Sequence, residues 1–291
     1  MIHYFKTLDF STFVIPVFTF ILGLIAKVVY EKYTLNYKLK VEYTFEQKKK
    51  LKEEIAKNKT ALLNATEELN HRLWNFSQHI STKKYNVSQS KWFVGEQYYI
   101  NSFIYRFLKV LDLIIKTEND TISIDSTIGS KIADENDIIF LKYIKTFKDI
   151  FTDKDLISQL PIQVKTTHFY KNNLFGYANH IRNNGNVLSF EDFEEVLKGN
   201  YLKLEKVITY FTKIENDNND CSLNVLKCYH LLAINFLNKF GHDYQVTKED
   251  KIKKIIDKYK SEVKITKEFK EFVIKSKLEN EMKPMLEKMN N

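Results

Sequence analysis

The chain has 291 residues, a formal charge of +8 at pH 7, and only 7 glycines and 3 prolines. So few backbone breakers favour an all-α protein and argue against β-rich architectures with their many turns. Two cysteines leave no disulfide scaffold, and the basic excess is spread among acids along the whole chain, so it marks no dedicated nucleic-acid stripe.

Residues 1–9 form a short N-terminal tail. From Phe10 to Ala26 there is no charged side chain, and Lys27-Val-Val-Tyr30 closes the run. About 20 apolar residues span a bilayer, and Lys27 can snorkel to the headgroups, so residues 10–30 are read as a transmembrane helix. A cleaved signal peptide has a shorter apolar centre and an A-x-A-like site; Leu24-Ile-Ala26 before Lys27 fits that poorly. Lys6 alone precedes the run, whereas Lys27, Lys32, Lys38, Lys40 and Lys48-Lys49-Lys50 follow it. The positive-inside bias then puts the C-terminal body in the cytoplasm, giving a single-pass protein of the inner (plasma) membrane.

Residues 31–80 are expected to form a long stalk helix. Tyr33, Leu35, Tyr37, Leu39, Val41, Tyr43 and Phe45 alternate with polar residues, as a strand would. The segment nevertheless runs into Glu46–Ile55, a strongly helical composition, and no partner strand follows. Leu51, Ile55, Leu62, Ala65, Leu69, Leu73 and Phe76 keep helical spacing, suited to packing on the body or on a second copy.

Residues 81–245 are read as a helical-bundle cytoplasmic domain. Ser81 to Gly95 is a polar break, Tyr98 to Lys116 a strongly apolar central helix, and Thr117 to Ser130 a loop with an extended piece at Ile122 and Ile124. Asp134 opens a helix to Phe151, and Asp153 to Pro161 holds a short helical turn. Thr166 or Thr167 caps a helix that reaches Arg182 and stops at Asn184-Gly185. Ser189 caps the next, which runs toward Phe211; Asn216 to Asp220 is a loop, and Leu223 to Phe240 is an apolar helix ended by Gly241. Cys221 and Cys228, seven residues apart, stand about 10 Å from each other on a helix, too far for a disulfide. Residues 246–291 form a pair of basic amphipathic helices starting at Thr247, with Pro284 near the end.

Among 45 basic residues only Arg72, Arg106 and Arg182 are arginine. Where lysine is the default cation, these sites point to a need for the planar guanidinium fork, toward an internal carboxylate or carbonyl or toward a bound anion. The segment from His168 to Asn183 adds Asn172, Asn179, Arg182 and Asn183 to His168 on one polar side, a face able to take an anionic or nucleotide-like ligand or to form an interhelical network. Arg106 is a further ligand candidate. Cys228 and His230 point apart on a helix, so no zinc site or other metal or cofactor is expected.

Arg72-Leu-Trp-Asn-Phe-Ser-Gln-His79 resembles the Arg-x6-His active-site motif of HEPN-type ribonucleases, which are all-helical and pair two motifs across a dimer. That resemblance, carried by two residues, implies that Arg72 holds the scissile phosphate and His79 serves as acid or base. Asn184–Phe193 resembles the exit half of an EF-hand, but with Gly185 at the sixth loop position His180 and Arg182 fall where calcium requires oxygens. Calcium is excluded on that ground. The reading that fits the whole chain is a membrane-anchored cytoplasmic protein acting by binding, as scaffold, sensor or effector subunit, with a protein partner and a homo-oligomer through the stalk expected. A tethered ribonuclease and an oligomerising, membrane-perturbing effector are the alternatives.

Overall fold

A computed structural model describes residues 10–79, 97–122, 124, 135–157, 169–214, 221–259 and 263–290. The tail, the Ser81–Gly95 break, Asp134, Thr166, Thr167, His168 and the Asn216–Asp220 loop lie outside these residues. The described residues are 88 % helical, and the sole strands among them are a two-residue pair, so the fold is all-α. Chain contacts divide it into two compact units, residues 1–51 with 124–132, and residues 52–123 with 133–291.

Helix α1 covers Phe10–His79. In the first unit its residues 33–45 are helical despite their period of two. The alternation splits the apolar side chains between opposite sides of the helix, and Tyr33 and Phe45 remain 74 % and 67 % exposed. Thr19 donates its hydroxyl to the Ile15 carbonyl at 2.8 Å, so this polar group is satisfied by its own helix.

The second unit comprises α1 from Lys52 onward and a set of shorter elements. These are α2 (Tyr98–Ile122), α3 (Glu135–Asp149), α4 (Lys154–Ile157), α5 (Lys171–Ala178), β1 (Arg182–Asn183), β2 (Asn186–Val187), α6 (Phe190–Gly199), α7 (Tyr201–Thr212), α8 (Cys221–Phe240), α9 (Glu249–Tyr259), α10 (Val263–Lys275) and α11 (Glu279–Asn290). Single 3-10 turns stand at Asn179–Ile181 and Asp243–Gln245. Ile55, Leu62, Ala65, Leu69, Leu73 and Phe76 are all buried, so this stretch of α1 is part of the core of the body.

Helix α2 is the centre. It buries residues on nearly every side, from Ile100 through Leu111 to Ile114, and packs on α3, α5, α6 and α7. Aromatic rings carry the core outward from it. Phe76 meets Phe103 at 5.4 Å, Phe103 meets Phe211 at 4.7 Å, and Phe107 touches both Phe211 and Phe151. Phe151 then contacts Tyr229, which contacts Phe147, which meets Phe236 at 5.3 Å. Tyr143, Phe140 and Phe240 complete the far end. Tilted and edge-on pairs of this kind add about 0.5–1.5 kcal/mol each beyond area burial.

Four local features depart from the sequence-based expectation. Helix α2 continues past Lys116 to Ile122, because tertiary bonds hold a segment of weak propensity: Asp120 accepts from Asn58 at 2.9 Å and Glu118 pairs with Lys148. The expected helix to Phe211 is two helices broken at Asn200 (φ −118, ψ 25), where Gly199 and Asn200 are poor helix formers and the Asn200 carbonyl starts α7. The segment ending at Asn184-Gly185 finishes as helix at Ala178, followed by the hairpin analysed below. The C-terminal region holds three helices, because Leu278, Met282, Met285, Leu286 and Met289 form a buried stripe around Pro284.

Other boundaries agree with the sequence. Asp153 caps α4, its Oδ1 accepting from the amides of Asp155 and Leu156 at 3.0 Å. Ser189 caps α6 by accepting from the Asp192 amide at 3.1 Å. Gly241 ends α8 where a Cβ would stand 2.5 Å from the Leu237 carbonyl oxygen.

Helix α10 ends in a Schellman motif. The Leu278 amide donates to Val273 O at 3.1 Å and the Lys277 amide to Ile274 O at 2.9 Å, with Val273 and Leu278 both fully buried. The left-handed position is Lys277, at φ 58, where glycine is the unstrained residue. Lys277→Gly is therefore expected to raise stability by about 1 kcal/mol, read from the midpoint of urea unfolding.

Candidate functional site

Two regions carry chemistry or surface beyond ordinary packing: the apolar part of α1, and the polar face around β1 and β2.

Among the described residues, α1 is the one helix long and apolar enough to cross a membrane, and none of its apolar window is buried. Ile15, Phe18 and Phe20 are 61–68 % exposed. The first charges on either side of the turn that follows, Lys27 and Glu31, pair at 3.9 Å. A membrane span and a signal sequence share this description.

The polar face begins with a local backbone rule. Asn184 (φ 49) and Gly185 (φ 82) both take positive φ, as a two-residue type I′ hairpin turn requires, and Asn-Gly is the commonest pair for it. Arg182 thereby pairs with Val187 and Asn183 with Asn186. The hairpin is fastened to α2 at two points. Tyr105 donates to the Leu188 carbonyl at 2.8 Å. Arg182 donates through Nε to Asp112 and through Nη1 to Gly185 O at 3.0 Å. The Asp112 side chain is 5 % exposed, so the guanidinium neutralises a carboxylate in the core and braces the turn at once. Asp112 was the missing partner in the sequence; its signal is a lone acid in Val110-Leu111-Asp112-Leu113-Ile114, where a buried charge needs a cation.

The remaining candidates are placed separately. Asn172, Asn179 and Asn183 are exposed, and His168 lies outside the described residues. His180 is half-buried in the 3-10 turn; burial, and then the charge of Lys203, hold its pKa below the ordinary histidine value. Arg106 donates to the Ser102 carbonyl of its own helix at 2.9 Å. Arg72 is buried, with its guanidinium 5.4 Å from the Tyr99 ring and 5.6 Å from the Tyr98 ring. His79 is exposed at the helix end, about 10 Å further along the axis. Seven residues apart, Arg72 and His79 lie on one side of α1, the first covered by protein and the second open to solvent.

Other polar and charged groups are engaged with one another, some at the surface and some within the body. Lys275 bonds both Asp153 (2.7 Å) and Asp155 (2.8 Å), and these two hydrogen bonds raise its pKa. They close over a cleft of ≈ 330 Å³ also lined by Glu268 and Glu271. Tyr143 donates to Asn235 Oδ1 at 2.9 Å while Asn235 donates to the Glu281 carbonyl, and burial raises the Tyr143 pKa. Among the described residues no group of three or more His, Cys, Asp or Glu is placed to hold a metal.

No protein family, curated protein or solved structure matches this chain. The site must therefore be tested on its own residues.

Arg182→Ala is expected to lower stability by about 3 kcal/mol, because Asp112 is left charged in the core. The double variant with Asp112→Ala should lose clearly less than the two single losses added, in a denaturant-based double-mutant cycle.

His230, buried on α8, has its pKa pushed down to about 3 by burial and then by the charge of Lys251. The unfolded chain binds this proton near pH 6.5 and the folded chain resists it, so the neutral-His contribution is complete above 6.5 and falls as pH drops toward 3. Between pH 6.5 and 5, wild type should lose about 2 kcal/mol more than His230→Gln, measured from urea midpoints at the two pH values.

Proposed function

We propose that this chain is a single-pass membrane protein whose helical body works by binding at the cytoplasmic face. The observation that carries the proposal is the unburied, uncharged run of α1: from Val14 to Ile25 its large apolar side chains are 40–68 % exposed. Surface of that kind belongs in lipid or against another protein. Helical structure passes from Ala26 through Lys27–Tyr30 to Leu51 without a break, a continuity that favours a retained anchor over a segment ending at a cleavage site. The lysine asymmetry around the run supports the inward orientation of the body. A binding role is favoured by how the candidate catalytic groups are used: Arg72 lies under tyrosine rings, Arg182 is held by Asp112, and His79 is exposed two turns beyond Arg72.

The experiment is a fractionation of cells producing the full chain. The protein is expected to stay in the membrane pellet after alkaline carbonate, and its body to resist protease added outside intact cells. Recovery in the soluble fraction, or digestion of the bulk of the chain from outside, would defeat the proposal.

A further inference from the structure

The anchor accounts for only part of the exposed apolar surface of α1. If residues 10–30 fill the hydrocarbon, the headgroup layer adds about 5–7 Å. Leu39 and Phe45 stand about 14 and 22 Å beyond Tyr30 along the helix, outside any lipid. Yet Tyr37, Leu39, Val41 and Phe45 are 48–67 % exposed. By helical spacing, Tyr30, Tyr33, Tyr37, Val41 and Phe45 form one stripe, and Val28, Leu35, Leu39 and Tyr43 lie on the opposite side. The first stripe is the more aromatic, with four rings against one, and a surface of that kind belongs against another protein.

We propose that its occupant is a second copy of this chain, the two α1 helices running parallel with the Tyr30–Tyr33–Tyr37–Val41–Phe45 stripe of each against the other. The inference rests on the anchoring proposed above and adds the partner and the face. A copy carries the same anchor, so its stripe stands at the same height over the bilayer without any further docking contact, and confinement to the membrane raises its effective concentration. The edges of the stripe are complementary. One edge carries Glu31, Lys38 and Glu42, the other Asn36, Lys40 and Gln47. A two-fold parallel pair lays the first edge of one helix along the second edge of its mate, so Lys40 meets the acid at 42 and no acidic row meets another. The tyrosines suit such a seam, giving large apolar contact with a hydroxyl left at the wet rim.

The test is oxidative crosslinking of the full chain in membranes at low protein-to-lipid ratio, with Cys221→Ser and Cys228→Ala as background. Tyr37→Cys and Val41→Cys are expected to give covalent dimers several-fold above Leu39→Cys and Asn36→Cys. A photo-reactive residue replacing Tyr37 in the otherwise unchanged chain should give the same dimer. Equal yields at all four positions, a maximum at Leu39→Cys, or photo-adducts with lipid or other proteins alone would overturn the pairing. Carbonate extraction of the same membranes separates the two ideas: a retained chain without position-dependent dimers removes only the pairing, whereas release from the membrane removes both.

Discussion

The structure turns on an imbalance in one helix: the apolar side chains of α1 between Val14 and Ile25 have no protein around them. Leaving a row of such side chains half in water costs on the order of 10 kcal/mol. That is comparable to the whole folding stability of a typical domain. Water alone is thus no tolerable surrounding for the segment, and the preference of this chain for another phase or another chain is set before any feature of the body is considered. The same helix from Ile55 onward shows the opposite balance, with Ile55, Leu62, Leu69, Leu73 and Phe76 all buried in the second unit.

The body solves a different problem, that of building a stable interior from an aromatic-rich sequence with few arginines. Rings from α1, α2, α3, α7 and α8 touch in succession, and several of the polar groups that enter this interior are bonded in pairs or short chains. Arg182 with Asp112, Lys148 with Glu118, and Tyr143 with Asn235 each place a charge or hydroxyl where solvent cannot reach freely. Gln245 does the same from its 3-10 turn, donating to Asn64 and Glu67 of α1. Such groups are costly if left unpaired and therefore fix which helix faces which.

Helix identity was legible where periodicity was strong and caps were local: the boundaries at Ser189, Asp153 and Gly241 follow from side-chain chemistry within a few residues. The extension of α2 to Ile122 was hidden, since its support comes from Asn58 and Lys148, distant in sequence. Asn184-Gly185 carried a hairpin signal, yet two-residue strands leave no alternating pattern to accompany it. In the candidate face, the rarity of arginine drew attention to Arg182, whose guanidinium is divided between Asp112 and the Gly185 carbonyl. It could not say that the fork at Arg182 turns inward, because the answering carboxylate lies on α2, 70 residues away.

The arginine settings bear on how this sequence can change over time. Over the solvated surface, exchange of one long cation for the other alters little. At Arg72, stacked on two tyrosine rings, and at Arg182, divided between a core carboxylate and a turn carbonyl, an ammonium reproduces only part of the contact. Cation drift is free across most of the body and closed at these two points, which makes them the markers to seek in any divergent descendant of the chain.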